Sequence, residues 1–203
     1  MATIPLALDT DVVPLPAPEN WPAMSLHEAL ERRRSTRRFH PDELSIGELS
    51  NLLWAAFGVN RTERGGRTAP SAHDWQEIDV YAVLREGAFR YDPMDHRLRL
   101  VKAEDLRPLA GLQDFVASAP LNLVYVADFR RMPDARGDEQ LAFFVGADAG
   151  CIAQNVYLHC ASAGLATVVR GLVDRRRLAP ALGLAREQRI ALAQTVGYPA
   201  PEA

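Results

Sequence analysis

Residues 139–171 read EQLAFFVGADAGCIAQNVYLHCASAGLATVVRG and contain the longest apolar tract of the chain. Residues 139–163 are typical of one long helix, and their many glycines and alanines would allow other helices to pack closely against it. Residues 166–169 form a short apolar run that predicts a buried strand. Polar side chains interrupt the tract at Asp148, Gln154, Asn155 and His159. This interruption argues against a membrane span, so we predict a central helix that leads into an inner strand.

Two shorter helices are predicted before this tract. Ser25 with Glu28 and Ser45 with Glu48 are capping boxes, in which a serine and a glutamate satisfy backbone groups at a helix start. The residues expected to face the core are Leu26, Ala29 and Leu30 in the first helix and Leu49, Leu52, Leu53, Ala56 and Phe57 in the second. Arg33 continues the first stripe and would have to meet an anion or acceptors, since an unpaired buried charge is costly.

The remaining pattern is rich in strands. Apolar or alternating runs predict strands at residues 78–84, 88–91, 97–101, 121–127 and 190–197. Helices are expected at residues 106–118, with a break near Pro108, and from Asp174 to Gly183. Because strands and helices do not alternate as in a doubly wound parallel fold, we predict an α+β fold. Residues 25–203 are expected to form one domain after an extended, proline-rich arm at residues 1–24.

The composition argues against several classes of protein. The 203 residues are 48% hydrophobic with a net charge of -3, so nucleic acid is not an expected partner. Cys151 and Cys160 would face opposite sides of the long helix, which predicts two buried free thiols. No cluster of His and Cys with metal-ligand spacing occurs, so no metal is expected. The N-terminus lacks the pattern of a secretory signal, which favours a cytoplasmic protein that does not bind membranes.

An arginine-rich turn follows the first helix. Residues 32–38, RRRSTRR, hold five arginines around a serine and a threonine. Guanidinium groups bind phosphate through paired hydrogen bonds, so this segment is a candidate phosphate site. The alternative is a solvated helix end, where cations are also favoured.

Two further segments have the side chains of a binding site. Residues 69–76, APSAHDWQ, place a hydroxyl, an imidazole, a carboxylate, an indole and an amide in one loop, which suits a planar polar ring. Residues 166–171, ATVVRG, end an apolar strand with a glycine that would let backbone approach a ligand. The alternatives are a surface loop anchored by one tryptophan and an ordinary strand end. Since no catalytic triad or carboxylate pair can be assembled, a cofactor is expected to carry the chemistry, and no catalytic residue is predicted.

These segments, in this order and with the final VGYP, resemble the nitroreductase family of FMN-dependent oxidoreductases over residues 26–199. The resemblance implies a mostly antiparallel sheet flanked by helices, with the long helix at a homodimer interface that holds two flavins. It also implies a ping-pong reaction, in which hydride from NADH or NADPH reduces a small acceptor such as a nitroaromatic or a quinone.

The resemblance assigns FMN-binding roles to eleven residues. The first segment, at the FMN phosphate and the pyrimidine edge, comprises Arg33, Arg34, Ser35 and Arg37. The loop that reaches the flavin from the partner subunit comprises Ser71, His73, Asp74 and Gln76. The segment whose backbone lies beside the isoalloxazine ring comprises Val169, Arg170 and Gly171.

Several positions depart from the family pattern. Asp74 stands where asparagine is common, so an amide donor is replaced by an acceptor. Glu77 replaces a frequent proline, and Arg170 replaces a frequent glutamate, from which we expect a higher flavin potential. Arg34, Arg37 or Arg38 is expected to supply contacts that relatives draw from basic residues after VGYP. The N-terminal arm is expected to wrap the partner subunit.

Three other functions remain open from the sequence. The RTAPSA loop and the following EIDVYAV also resemble SagB-like FMN dehydrogenases or oxidases, which oxidise a substrate and return electrons to oxygen. A second alternative is a flavin-binding protein without efficient turnover. A third is a module that binds an anionic partner through the arginine-rich turn and Arg175, Arg176 and Arg177; its binding would depend steeply on salt.

Overall fold

A seven-stranded antiparallel sheet lies at the centre of the computed structural model, which describes residues 11–19 and 24–201. The strands are β1 (Val12–Pro14), β2 (Val59–Arg61), β3 (Gly66–Arg67), β4 (Ile78–Val83), β5 (Ala88–Asp92), β6 (Arg97–Lys102), β7 (Leu121–Asp128), β8 (Ala166–Arg170) and β9 (Gln188–Gly197). The order in the sheet is β1-β6-β5-β4-β7-β9-β8, and β2 and β3 form a separate two-stranded ribbon. The predicted α+β class and the antiparallel sheet are confirmed.

Five helices pack around this sheet in the described part of the chain. They are α1 (Leu26–Arg32), α2 (Ile46–Phe57), α3 (Asp114–Ser118), α4 (Gly137–Ala163) and α5 (Arg175–Ala181). Short 3-10 turns lie at Ala72–Asp74, Arg107–Leu109 and Phe129–Arg131. The segment predicted as one helix broken near Pro108 is a 3-10 turn and a separate α3. Pro108 lies inside the turn, where its missing N–H is tolerated, and the break falls at residues 111–113.

The two faces of the sheet build two cores. Helices α2 and α4 pack on one face, where Leu123 and Tyr125 of β7 are fully buried. The neighbouring Val124 and Val126 point to the other face, which α5 and the 106–118 segment cover. This alternation follows from the two-residue period of a strand. Both faces of β7 are dry, which explains its continuous apolar sequence.

Both predicted capping boxes are present. The Ser45 hydroxyl accepts from the backbone N–H of Glu48 at 3.2 Å, and the Glu48 carboxylate accepts from the Ser45 backbone N–H at 2.7 Å. Ser25 and Glu28 repeat this arrangement at the start of α1. The predicted inward stripe of α2 is buried, whereas in α1 only Ala29 is buried. The expectation for Leu26 and Leu30 is wrong in the single chain, where they are 65% and 52% exposed.

The described part of the N-terminal arm lies on its own chain. Val12–Pro14 pairs antiparallel with β6, and Leu15 joins the core below it. The hydroxyl of Ser50 donates to the carbonyl oxygen of Pro16 at 2.6 Å and so anchors the arm on α2. Val12–Pro14 is thus an edge strand of its own sheet, while the expected wrapping of a partner subunit stays a prediction. Residues 1–10 and 20–23 of the predicted arm lie outside the described residues.

Helix α4 is long and apolar enough, by length and composition, to cross a membrane, with a mean hydropathy of 1.3. The core helices of soluble proteins meet the same criterion, and the inner face of α4 packs on the sheet. Its exposed face consists mainly of small residues, together with a 69% exposed phenylalanine; the members are Ala142, Phe143, Gly146, Ala147, Gly150 and Gln154. Both cysteines are free; Cys160 is buried as predicted, whereas Cys151 is half-buried.

Candidate functional site

The arginine-rich turn runs as an extended segment along the end of the sheet. The backbone N–H of Thr36 donates to the carbonyl oxygen of Thr167 at 2.9 Å. The backbone N–H of His40 donates to the carbonyl oxygen of Tyr198, also at 2.9 Å. The Tyr198 hydroxyl in turn donates to Glu48 of α2 at 2.7 Å. Burial and this hydrogen bond raise the pKa of Tyr198 to about 12. Backbone hydrogen bonds therefore hold the turn against the end of the sheet.

Tyr157 of α4 joins the turn to β8. Its hydroxyl lies 2.7 Å from the Ser35 hydroxyl and accepts from the backbone N–H of Val169 at 3.0 Å. The guanidinium of Arg33 lies over the Tyr157 ring, 5.2 Å from its centroid. Arg33 is thus partly buried and has an aromatic contact, as its place on the apolar stripe suggested. Two of the three predicted segments meet at this tyrosine.

The side chains of the turn surround a cleft beside Tyr157. Arg33 and Ser35 contact Tyr157, and Arg32, Arg34 and Thr36 line, together with Tyr157, a cleft of about 210 Å³ between the turn, the end of α4 and the start of β8. Arg37 and Arg38 are exposed. The turn thus offers guanidinium and hydroxyl donors, a suitable set for a phosphate group.

Arg170 does not reach this site with its side chain. It is 4% exposed and lies on the sheet face opposite α4, in the core of α5. Its guanidinium donates to the hydroxyl of Thr195 at 3.0 Å, the carbonyl oxygen of Ala110 at 2.9 Å and the side-chain oxygen of Asn122 at 2.9 Å. Burial lowers its pKa to about 10. Its charge has no carboxylate partner among the described residues and is directed at neutral acceptors, not at the turn. The expected effect on the flavin potential stays a prediction. The next residue, Gly171, is exposed, and a Cβ added there would meet nothing within 4 Å.

The loop at residues 71–76 has a strained backbone. Among the described residues, four that are not glycine have positive φ angles, and three of them are in this loop: His73 at 53°, Asp74 at 54° and Gln76 at 50°. Such conformations each cost of the order of 1–3 kcal/mol and are concentrated at functional sites. The His73 ring stacks on Trp75 with centroids 4.5 Å apart, and both rings meet the edge of Phe144 in α4.

Two carboxyl groups hold this loop on α4. Asp148 accepts from the backbone N–H of Ala72 at 2.8 Å, and Glu77, which is fully buried, accepts from the Ser71 hydroxyl at 3.2 Å. Burial raises the pKa of Glu77 to about 7, and the nearby carboxylate of Asp148 acts in the same direction. The Oε1 atom of Glu77 is buried and has no hydrogen-bond partner among the described residues, so protonation of Glu77 near neutral pH removes a poorly compensated buried charge. The departure at Glu77 therefore has a structural partner, Asp148.

The loop meets α4 away from the arginine-rich turn. Asp148 precedes Tyr157 by nine residues, which corresponds to about 13.5 Å along a helix. Within one chain the structure thus brings together the first and third predicted segments, while the loop lies further along α4.

Sequence reasoning missed the residues that join these segments. Tyr157 lies in an apolar helical run, where a tyrosine is usually a core residue, and nothing local indicates its two hydrogen bonds. Asp148 stands out in the sequence only as a break in the apolar tract. Its position in a helix that has a dry inner face is the available signal, because a buried carboxylate needs a partner. His159 is 5% exposed, as expected for a packed residue, and burial lowers its pKa to about 4.

Comparisons with known proteins agree on the family. The sequence model of the nitroreductase family matches residues 30–198. A protein of Methanocaldococcus jannaschii that carries the name nitroreductase MJ1384 is 36% identical over 173 residues, which cover 80% of this chain and 85% of that protein. A crystal structure from Ralstonia eutropha JMP134, also named a nitroreductase, is 47% identical, with a TM-score of 0.89 over 95% of this chain and 91% of that one.

A more distant structure shares the fold alone. The Escherichia coli microcin synthetase McbBCD complex matches with a TM-score of 0.71 at 18% identity, over 99% of this chain and 84% of that one. The family match covers most of the chain and includes the arginine-rich turn, the strained loop and the end of β8. The chain therefore belongs to the nitroreductase family of oxidoreductases.

Proposed function

We propose that this protein is an FMN-dependent oxidoreductase that takes hydride from NADH or NADPH and reduces a small acceptor such as a nitroaromatic or a quinone. The observation that carries the proposal is the junction at Tyr157. The hydroxyl of Tyr157 lies 2.7 Å from the Ser35 hydroxyl of the turn and 3.0 Å from the backbone nitrogen of Val169 in β8. Members of the family typically bind FMN. The resemblance assigns these two segments to its phosphate and its ring.

The residues present fit this cofactor. A phosphate dianion needs cationic and hydroxyl donors, and the turn offers Arg33, Arg34, Arg37 and Ser35 on a backbone that is already fixed. A flat ring needs backbone that can be approached closely, and the open space beside Gly171 meets this need. When bound, FMN supplies the two-electron redox chemistry, and the chain supplies binding, orientation and the exclusion of water.

The loop at residues 71–76 would act in the partner subunit. It lies about 13.5 Å along α4 from Tyr157, too far to complete the same site in one chain. The exposed face of α4, with Phe143, and the exposed Leu26 and Leu30 of α1 would be covered in a homodimer. His73, Asp74 and Gln76 of one chain would then contact the flavin of the other, and Asp148 with Glu77 would hold their backbone in place.

Steady-state kinetics test the reaction. The protein supplied with FMN is mixed with NADH or NADPH and with a quinone or a nitroaromatic, and the consumption of reductant is followed. We expect consumption that requires FMN and the acceptor, with the parallel double-reciprocal lines of a ping-pong reaction. The Ser35→Ala variant should bind FMN more weakly. If neither NADH nor NADPH is oxidised, the proposal is contradicted and the SagB-like reaction or a flavin-binding protein is favoured.

Subunit mixing tests the shared site. Two variants are prepared, Arg33→Ala with Arg37→Ala in the turn and Gln76→Ala with Asp74→Ala in the loop, and both are expected to be inactive. After unfolding and refolding together, about half of the dimers are mixed and each has one intact site, so about a quarter of wild-type activity should return. The absence of any recovery would show that the loop serves its own chain.

A further inference from the structure

A second group of arginines lines a cleft that shares no residue with the arginine-rich turn. The cleft has a volume of about 320 Å³ and lies where β4, β5 and β6 meet the β2–β3 ribbon. Four arginines from four parts of the chain line it, together with two aspartates, which leaves a formal charge of +2. These residues are Arg67, Arg90, Arg99, Arg131, Asp79 and Asp92. We call this site the arginine cleft.

The two aspartates are already engaged by their own neighbours. Asp92 accepts from Arg99 at 2.7 Å and from Arg97 at 3.4 Å, and these hydrogen bonds outweigh its burial and lower its pKa. Asp79 lies 3.0 Å from Arg131. Neither carboxylate forms an ion pair with Arg67 or Arg90. The excess positive charge of the cleft therefore belongs to these two arginines.

Arg67 has only neutral partners in hydrogen-bond contact. Its Nε donates to the side-chain oxygen of Gln76 at 2.9 Å, and its guanidinium lies 5.5 Å from the centroid of the Phe57 ring. Burial lowers its pKa, and the charge of Arg131 acts in the same direction, whereas Tyr91, Asp74 and Asp92 act in the opposite direction. The half-buried guanidinium has no carboxylate in hydrogen-bond contact, a situation that a bound anion would stabilise.

Two other guanidiniums have unused donors. The Nε of Arg131 is buried and has no hydrogen-bond partner among the described residues, although its terminal nitrogen binds Asp79 and the carbonyl oxygen of Glu77. Arg90 is exposed, and its side chain makes no hydrogen bond or ion pair within the described part of the chain. A buried donor without a partner is rare in folded proteins and commonly marks a place for water or an ion.

We propose that the arginine cleft binds a small dianion that presents a phosphoryl group, at a site separate from the arginine-rich turn. The formal charge of +2 matches such a dianion, and the guanidinium donors match its oxygens, which arginine binds through paired hydrogen bonds. The volume of about 320 Å³ accommodates a group of the size of pyrophosphate.

Gln76 links the arginine cleft to the strained loop. It lines the cleft, accepts from Arg67 and donates to Asp74 at 2.9 Å. An anion that engages Arg67 would therefore contact the segment whose backbone is held at positive φ. The inference concerns a binding site and does not require that the loop reach a flavin.

Calorimetric titration of the full chain with inorganic pyrophosphate, in the presence of saturating FMN, tests the proposal. The test variant is Arg90→Gln, because the Arg90 side chain supports no other residue in the described chain and its loss should leave the fold unchanged. The matched control is Arg176→Gln on α5, which removes the same charge from an exposed position outside the cleft. Arg37→Gln in the turn reports on any pyrophosphate bound there if FMN is not retained.

We expect one pyrophosphate per chain, bound about tenfold more weakly by Arg90→Gln and unchanged in Arg176→Gln. Malonate, a dicarboxylate of similar charge, should bind more weakly than pyrophosphate. Equal weakening in both variants would show attraction by overall charge and would overturn the proposal. The proposal would also be overturned if pyrophosphate did not bind, if malonate bound more tightly than pyrophosphate, or if only Arg37→Gln abolished the binding of pyrophosphate.

Discussion

Arginine side chains are exposed in most of the arginine-rich turn, whereas the side chain of Arg170 is buried. Arg37 of the turn is exposed, and its side chain makes no hydrogen bond in the described chain, whereas Arg170 is 4% exposed and bonded to three neutral acceptors. Both belong to segments that resemble the flavin site of the family. The difference teaches that burial and partners, more than position in a motif, decide whether an arginine serves a ligand or the fold.

Replacement of Arg170 should have the largest effect on stability. In Arg170→Leu, the buried carbonyl oxygen of Ala110 loses its donor, at about 1–3 kcal/mol, whereas the side chains of Asn122 and Thr195 each lose one partner but stay hydrogen-bonded to each other at 2.7 Å. We expect the free energy of unfolding to fall by about 2–4 kcal/mol, as measured by urea denaturation. Arg37→Gln is the control and should stay within about 0.5 kcal/mol of wild type.

A loss below about 1 kcal/mol in Arg170→Leu would show that the three acceptors find other donors and would remove the contrast. Gly111→Ala gives a second test, because its Cβ would lie 2.1 Å from a terminal nitrogen of Arg170. It should destabilise the protein through the displacement of that side chain.

The buried carboxyl pair extends the comparison to acids. Burial and then Asp148 raise the pKa of Glu77 to about 7, well above the ordinary value of a glutamate, so the folded state binds its proton more tightly. The stability that this proton contributes is complete below the unfolded pKa and is lost as the pH rises through about 7. Relative to Glu77→Gln, the wild type should lose up to about 3 kcal/mol between the unfolded and the folded pKa.

Urea denaturation across this pH range measures the effect, with Glu63→Gln, at an exposed position, as the control. The Glu77→Gln variant keeps the size of the side chain and removes the titration. Parallel pH profiles for wild type and Glu77→Gln would contradict the raised pKa of Glu77.

The turn should show the smallest effect on stability and a specific effect on cofactor binding. Arg37→Gln is expected to weaken FMN binding about tenfold, because a charge-assisted hydrogen bond to a phosphate is lost, while the unfolding free energy is unchanged. Quenching of flavin fluorescence measures the affinity. A variant that keeps wild-type affinity would place the phosphate on the Arg32 and Arg34 side of the turn.

Local features of this fold were predictable from the sequence. The capping boxes at Ser25 and Ser45 involve residues three apart, and the meander from Ile78 to Lys102 needs only short turns and alternating side chains. The inward-facing residues predicted for α2 are confirmed, because one face of that helix packs on a single core. In α1 the same pattern left Leu26 and Leu30 exposed, because a seven-residue helix buries little more than Ala29.

Contacts between distant segments were not predictable. The face on which Arg170 lies depends on the register of β8 against β9, and a shift by one residue reverses it. The arginine cleft gathers residues from the β2–β3 ribbon, the neighbouring strands and the turn after β7. Arg67 and Gln76 stand in quoted segments of the sequence, but nothing there indicates that Arg90 and Arg131 lie beside them. The junction at Tyr157 likewise depends on how α4 is rotated against the sheet.

The most direct test of the central claim is the absorbance spectrum of the purified protein after incubation with FMN and removal of free flavin, followed by anaerobic addition of one equivalent of NADPH or NADH. Our account predicts that the yellow colour is retained and that one of the two reductants bleaches it. Retained colour that neither reductant bleaches would contradict the proposed reaction, and loss of all flavin would contradict the assignment of the arginine-rich turn to its phosphate.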